Sequence, residues 1–135
     1  MPKENGENTE IVAVATIPNL HEMTTELIDL TSDYWEPTEI GDTKRCIISE
    51  FIIARYEQKD LDLKCIVLVE QLKDGSTKTW KNGSTLLVSS IEKAIENGKL
   101  RFFETPIEII FNGTKKTGTG NSLALWSIKR LVAKR

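Results

Sequence analysis

The chain is poor in the side chains that most enzymes use for chemistry. It has one histidine, His21, and two cysteines, Cys46 and Cys65, among 135 residues. Both cysteines lie in apolar runs without a second Cys or a His at metal-ligand spacing, so we interpret them as small buried hydrophobic residues. No HExxH sequence, P-loop or Ser/His/Asp set is present. The sequence therefore predicts a protein that is not an enzyme and needs no cofactor or metal.

One acidic pair keeps a catalytic alternative open. Asp60 and Asp62 lie in a predicted turn, and carboxylate oxygens are ligands that Mg²⁺ prefers. Two carboxylates in a polar turn are usually only hydrated, however. His21 falls in an amphipathic segment, where a surface or boundary position is expected rather than a general base. These residues do not form a catalytic set.

Long hydrophobic runs are also absent. No apolar run approaches the roughly 20 residues that a membrane-spanning helix needs. The first ten residues are polar and slightly acidic, unlike a secretory signal. Hydrophobic residues make up 39% and charged residues 28% of the chain, which is usual for soluble globular proteins. We expect a cytoplasmic protein without a membrane partner, folded as one main domain.

Positive charge is slightly outnumbered by negative charge overall, and it is unevenly distributed. The net charge is −2, which argues against binding of duplex DNA by bulk electrostatics alone. Acidic residues are spread between Glu4 and Glu39, whereas in residues 101–135 the cations outnumber two acids, Glu104 and Glu108. A groove can therefore be basic although the whole chain is not.

The N-terminal part predicts an extension outside the main domain. Residues 1–9 are polar without periodicity, and residues 10–17 could form a short strand or an extended arm. In residues 20–30 the apolar positions follow a helical stripe, with Asn19 as a candidate N-cap. We expect a tail and helical extension over residues 1–31 and a barrel domain over residues 32–135.

The remaining pattern is mainly β. A long strand is predicted over 44–56, with Ile47, Phe51 and Ile53 on one face and Cys46 and Ile48 on the other. Strands over 63–72 and 77–81 flank the turn-forming pair Asp74-Gly75.

One helix interrupts this β pattern. Residues 84–97 carry a helical stripe that ends at Gly98. Strands over 107–111 and 123–132 follow. Five strands with a helix between the third and fourth have the order of an OB-type Greek-key barrel, here with an added N-terminal helix.

A glycine-rich loop near the C-terminus adds a functional signal. Gly113, Gly118 and Gly120 are interleaved with Lys115 and Lys116 between two β-rich runs, which predicts a flexible basic hairpin. A strand bearing Trp126 follows. Positive charge beside an aromatic face suits a single nucleic-acid strand, because phosphates bind cations and unstacked bases stack on rings.

Several segments together resemble a known family. The sequences Tyr34-Trp35-Glu36-Pro37 and Gly41-Asp42-Thr43-Lys44-Arg45 precede or open the first long strand. Ile107-Glu108-Ile109, Gly113-Thr114-Lys115-Lys116, Gly118 and Trp126-Ser127-Ile128 close the domain. Over roughly residues 32–133 this pattern resembles single-stranded-DNA-binding proteins of the OB fold, particularly those encoded by bacteriophages.

The resemblance implies a site and partners. It implies binding of single-stranded DNA during replication or recombination, in the host cytoplasm if the chain is phage-encoded, with replication or recombination proteins as further partners. From the residues themselves, Trp80 either belongs to the core or stacks on a base while Lys78 or Lys81 meets a phosphate, and Trp126 could likewise face the core or a groove. The predicted nucleic-acid-binding residues are Lys44, Arg45, Trp80, Lys81, Phe103, Lys115, Lys116 and Trp126.

An alternative of another class stays open. The chain could be a phage structural or adaptor protein, in which an exposed strand edge and the N-terminal helix mediate oligomerisation. The sequence does not distinguish DNA from RNA as a ligand, since many polar residues accept a 2′-hydroxyl.

Overall fold

Among the residues that the structure describes, the regular structure is a mixed β-sheet and one α-helix. The structure is a computed structural model, and it describes residues 17–26, 30–56, 60–118 and 120–134. Within these ranges the elements are β1 (Asp33–Tyr34), β2 (Thr43–Tyr56), β3 (Leu61–Gln71), β4 (Thr77–Asn82), α1 (Thr85–Glu96), β5 (Ile107–Lys116) and β6 (Ser122–Arg130). None of the described helical residues belongs to a helix long and apolar enough to cross a membrane.

The sheet has a Greek-key order. Its strands are arranged β1-β4-β3-β2-β5-β6. Strands β2, β3 and β4 are consecutive antiparallel neighbours, and β5 returns after α1 to pair antiparallel with β2. Three consecutive strands with the fourth beside the first define a Greek key. The predicted order of strands and helix is confirmed.

The predicted five-stranded barrel is not confirmed. In the part of the chain that the structure describes, β4 and β6 do not pair, and β1, which the sequence did not predict, pairs in parallel with β4 instead. The sheet curls nonetheless, because Trp35, just after β1, lies against Trp126 of β6 with ring centroids 5.3 Å apart. The two sides of the sheet thus meet through side chains rather than through backbone hydrogen bonds.

A β-bulge in β2 changes which side chains face the core. The pairing of β2 with β3 shifts register between Ile48 and Glu50. The hydroxyl of the inserted residue, Ser49, donates a hydrogen bond of 3.1 Å to the carbonyl of Val67. After the bulge Phe51 packs on the same core as Ile48. The prediction that Phe51 and Ile48 lie on opposite faces is therefore wrong, because one extra residue reverses the alternation.

The core lies between the sheet and α1. The helix contributes Leu87, Val88 and Ile91, all buried, against apolar residues of the four inner strands and the buried Trp35. Ser84 precedes the first helical residue, and Gly98, at φ +72°, follows its end. The predicted helix over 84–97 is confirmed.

The predicted N-terminal helix is wrong for the described residues. Only a 3-10 turn, Leu20–Glu22, forms there, with Asn19 capping it by accepting a hydrogen bond from the His21 amide. Leu20, Met23 and Leu30 are exposed. A short helix is marginal in water unless its apolar face packs on a core, and these three described side chains of the stripe do not pack on one. The strand or arm proposed over 10–17 lies almost wholly outside the described residues.

Candidate functional site

Four side chains form a polar cluster at one end of the core-facing side of the sheet. Strand register pairs Lys44 with Ile109 and Trp80 with Leu68. Ile109 and Leu68 both belong to the core. Glu70 pairs with the buried Cys46 on one side and with Lys78 on the other. We call Lys44, Glu70, Lys78 and Trp80 the Trp80 cluster.

Glu70 holds the Trp80 cluster together. Its Oε1 accepts a hydrogen bond of 3.1 Å from Lys44 Nζ and one of 2.9 Å from Trp80 Nε1. The Lys44 and Lys78 ammonium groups lie 4.2 and 4.1 Å from the centroid of the Trp80 ring. Each such cation–π contact contributes about 0.5–2 kcal/mol, depending on its exposure. The indole is therefore fixed at its edge and covered by cations.

The two lysines of the cluster differ in their freedom. The Lys44 side chain is 12% exposed and is paired with Glu70, itself 13% exposed. The Lys78 side chain is 48% exposed, and its Nζ lies 3.8 Å from Oδ2 of the exposed Asp33. Lys44 thus serves to position Trp80 and has little capacity to meet a phosphate, whereas Lys78 has that capacity.

A row of aromatic rings connects Trp80 to the opposite side of the sheet. Lys44 Nζ also lies 5.2 Å from the ring of Trp35, which is buried. Trp35 contacts Trp126, whose Nε1 donates a 2.9 Å hydrogen bond to the Ser84 hydroxyl at the start of α1. Trp80 and Trp126 therefore share one face of the sheet, but Trp126 is tied to the core and less available for stacking.

The two hairpin lysines are exposed and point to different sides. Gly113, at φ +94°, lies in a bulge that lets β5 continue to Lys116, beyond the predicted end at Phe111. Lys116 pairs with Ser122, and alternation along β6 places that pair on the same face as Trp126. Lys115 pairs with Leu123 on the other face.

A cleft separates the hairpin from the β1–β4 side of the sheet. Its volume is about 280 Å³, and it lies along the seam that the barrel would need to close. Its lining includes Trp35 and Asn82 on one side and Thr114, Ala124 and Trp126 on the other. The base of the basic hairpin thus borders the same aromatic row as the Trp80 cluster.

Besides Lys115, three predicted site residues lie away from the face that carries the Trp80 cluster. Arg45 is on the outer face of β2, where its Nε donates to Glu108 at 3.0 Å. Lys81 follows Trp80 and so faces the other side, with its ammonium 4.7 Å from the Tyr34 ring. Phe103 is exposed in the connection after α1, at φ +64°, and its amide bonds to the Ile48 carbonyl. The structure thus groups Lys44, Trp80, Trp126 and Lys116 on one face and separates Arg45, Lys81, Lys115 and Phe103 from it.

Sequence reasoning missed Glu70 and chose Lys81 rather than Lys78 as a binding residue. A usable signal was present, because Lys78 and Trp80 are two residues apart and must share a strand face. The tight turn at Asp74-Gly75 then pairs Glu70 with Lys78 across the hairpin.

The acidic pair, which the sequence raised as a candidate for metal binding or catalysis, and the two cysteines show no sign of either in the described part of the chain. Asp60 and Asp62 both bind Arg55, so these carboxylates are occupied. A search of the described ranges finds no group of three or more His, Cys, Asp or Glu side chains that could hold a metal ion. Cys46 and Cys65 are buried free thiols, as predicted.

Comparison with protein families, with curated proteins and with solved structures finds no match to this chain. The function of the chain is therefore inferred from the geometry of the Trp80 cluster and the basic hairpin.

Proposed function

We propose that the chain is an OB-type domain that binds single-stranded DNA with little sequence preference, in replication or recombination. The observation that carries the proposal is Trp80, a half-buried indole with two ammonium groups within 4.2 Å, on the core-facing side of a curled sheet. The OB fold is a partly open five-stranded Greek-key barrel that binds oligonucleotides on one face. The Greek-key order and the open seam agree with that form.

The mechanism combines stacking with phosphate binding. An unstacked base would stack on Trp80, which contributes about 1–3 kcal/mol per base in such sites. Lys78 and Lys116 would bind phosphates on the face of Trp80, and Lys115, on the other face of the same exposed hairpin, would bind a phosphate where the strand passes over the hairpin tip. Three neutralised phosphates give a slope of log affinity against log salt of about −2. A larger slope is not expected, because Lys44 and Arg45 are paired with carboxylates.

Substitution of the stacking ring tests the proposal. Trp80→Ala should weaken oligo-dT binding by between about fivefold and a hundredfold, since it removes the stack. The Lys115→Ala/Lys116→Ala double variant should weaken binding at low salt and flatten the salt dependence. Both are measured by fluorescence anisotropy of labelled oligo-dT, with thermal melting to verify the fold.

Phe103→Ala is the matched control, because it also truncates an exposed aromatic side chain but lies outside the Trp80 cluster. It should bind oligo-dT as the wild type does. Unchanged affinity in both Trp80→Ala and the double lysine variant would refute the assigned face, and a wild-type protein without affinity for oligo-dT would refute the function.

One observation favours the adaptor alternative. The outer face of the sheet has a groove of about 470 Å³ whose lining is more apolar than polar, with Ile47, Val69, Leu72 and Leu131 beside Arg45 and Lys73. Such a surface suits a contact with a second copy of the chain. Light scattering on the protein alone tests this alternative, because it requires an assembly in the absence of DNA.

A further inference from the structure

Trp80 is covered in the free protein. The ammonium groups of two lysines, Lys44 and Lys78, each lie about 4 Å from the centroid of its ring. A base that stacks on an indole needs the space directly above the ring. Stacking on Trp80 therefore requires at least one of these ammonium groups to leave.

The surroundings of the two lysines decide which one leaves. Lys44 is nearly buried and donates a 3.1 Å hydrogen bond to Glu70, so its removal would leave a largely buried carboxylate without its cation. Lys78 is about half exposed, and its carboxylate neighbour, Asp33, is 3.8 Å away and itself 71% exposed. Lys78 is the lysine that can move at low cost.

We infer that Lys78 is a displaceable cap of Trp80: an incoming base replaces its ammonium group over the ring, and the released ammonium binds the adjacent phosphate. This inference rests on the proposed function and names the residue that regulates access to its stacking site. Lys81, the other lysine next to Trp80, faces the opposite side of the strand and cannot take this role.

The exchange favours binding in two ways. A base stack on tryptophan contributes more than an exposed cation–π contact, so replacing one by the other is favourable. The lysine then gains a phosphate in place of a loose contact with an exposed aspartate. The same cap covers the indole when no strand is bound.

A first experiment needs no DNA. Lys78→Thr keeps a residue suited to a strand but removes the side chain over the ring. Lys129→Thr is the matched control, because Lys129 is also an exposed strand lysine but lies opposite Glu108 on the outer face. Acrylamide quenching of tryptophan emission should increase in Lys78→Thr and stay at the wild-type value in Lys129→Thr. Equal quenching in all three proteins would overturn the cap.

A second experiment measures oligo-dT affinity against salt for the same three proteins. Lys78→Thr should reduce the magnitude of the slope of log affinity against log salt by about 0.7, the value for one phosphate. Its affinity should be lower than the wild type's at low salt and equal or higher near 1 M salt, where the phosphate contact is screened but the uncovered ring remains. Lys129→Thr should follow the wild type throughout.

The outcomes separate the inference from the function. If the wild type does not bind oligo-dT, the proposed function fails, and acrylamide quenching alone still decides whether Lys78 covers Trp80. If the wild type binds but Lys78→Thr has an unchanged slope, Lys78 does not bind a phosphate. If the slope falls but the affinity stays below the wild type's at 1 M salt, Lys78 binds phosphate without capping the ring. Either of these two results overturns the inference.

Discussion

At the scale of the residue, burial and partners decide what a charged side chain can do. Lys44 and Lys78 have the same functional group and lie at the same distance from Trp80. The Lys44 ammonium is taken out of solvent and paired with Glu70, whereas Lys78 remains about half exposed. The first therefore positions the ring, and the second is available for a ligand.

The same environment acts on Cys46, whose thiol lies near both Glu70 and Lys44. Burial raises the pKa of Cys46 from its usual 9.0 to about 12, with Glu70 adding to the rise and Lys44 opposing it. Above pH 9 the unfolded thiol ionises while the folded thiol stays protonated. The unfolded state then binds fewer protons, so the free energy of unfolding falls as the pH rises from about 9 towards 12.

This effect predicts a difference that depends on pH. Relative to Cys46→Val, which has no thiol, the wild type should lose about 1–2 kcal/mol of unfolding free energy between pH 9 and pH 10.5. Urea unfolding of both proteins at several pH values measures the difference. A constant difference across this range would contradict the shifted pKa, and the other titrating groups cancel because both proteins share them.

At the scale of the element, bulges determine which side chains reach the site. The bulge in β2 turns Phe51 towards the core, and the bulge at Gly113 carries the β5–β6 hairpin beyond the end predicted from alternation. The three glycines of this hairpin are not equivalent. Gly113 has φ +94°, with Ile40 Cδ1 3.1 Å from the position of an added Cβ, whereas Gly118 has open space around it and is not in the left-handed region.

Alanine at these two glycines should have different effects. Gly113→Ala forces a side chain into a left-handed conformation and should cost about 1–2 kcal/mol of unfolding free energy. Gly118→Ala is the matched control in the same hairpin and should be neutral or slightly stabilising, because alanine reduces the freedom of the unfolded chain. Denaturant titration measures both, and equal effects would contradict the bulge geometry.

At the scale of the whole molecule, the proposed function implies a ligand selectivity, because the available cations are few and the protein is mildly acidic. With a net charge of −2, electrostatic attraction alone is weak, so an accessible base must supply much of the binding energy. A duplex offers phosphates but no unstacked base for Trp80.

The protein should therefore prefer single strands. Near 0.1 M salt, oligo-dT should bind about tenfold or more tightly than a duplex of the same length, the factor that one lost stack predicts. Competition of unlabelled duplex against labelled oligo-dT measures this ratio. Comparable affinities would show that phosphate contacts alone account for binding.

Much of the architecture was predictable because its signals are local. The long strand β2, the turn at Asp74-Gly75 and the helix that ends at Gly98 follow from periodicity and turn chemistry, which act over a few residues. The predicted N-terminal helix does not form in the described residues, because its formation depends on a contact that is not local in the sequence. Its apolar stripe is present, but a stripe forms a stable helix only where a core surface receives it.

The candidate site was predictable only in part. Trp80 and the hairpin lysines were found from residue type and spacing, and alternation alone already separates the members of Lys44-Arg45 and of Trp80-Lys81. Glu70 was missed because its importance comes from two partners on different strands.

The sequence by itself determined the order of the strands β2 to β6, the helix between β4 and β5, the basic hairpin and the buried thiols, because these depend on side-chain period, on turn-forming residues and on hydrophobicity along the chain. Only the tertiary structure decided that the seam between β4 and β6 stays open, that Trp126 is tied to Ser84, and that Lys44 supports Trp80 while Lys78 covers it. Those outcomes depend on how far the sheet curls and on which carboxylate each cation meets, and neither is encoded within a few consecutive residues.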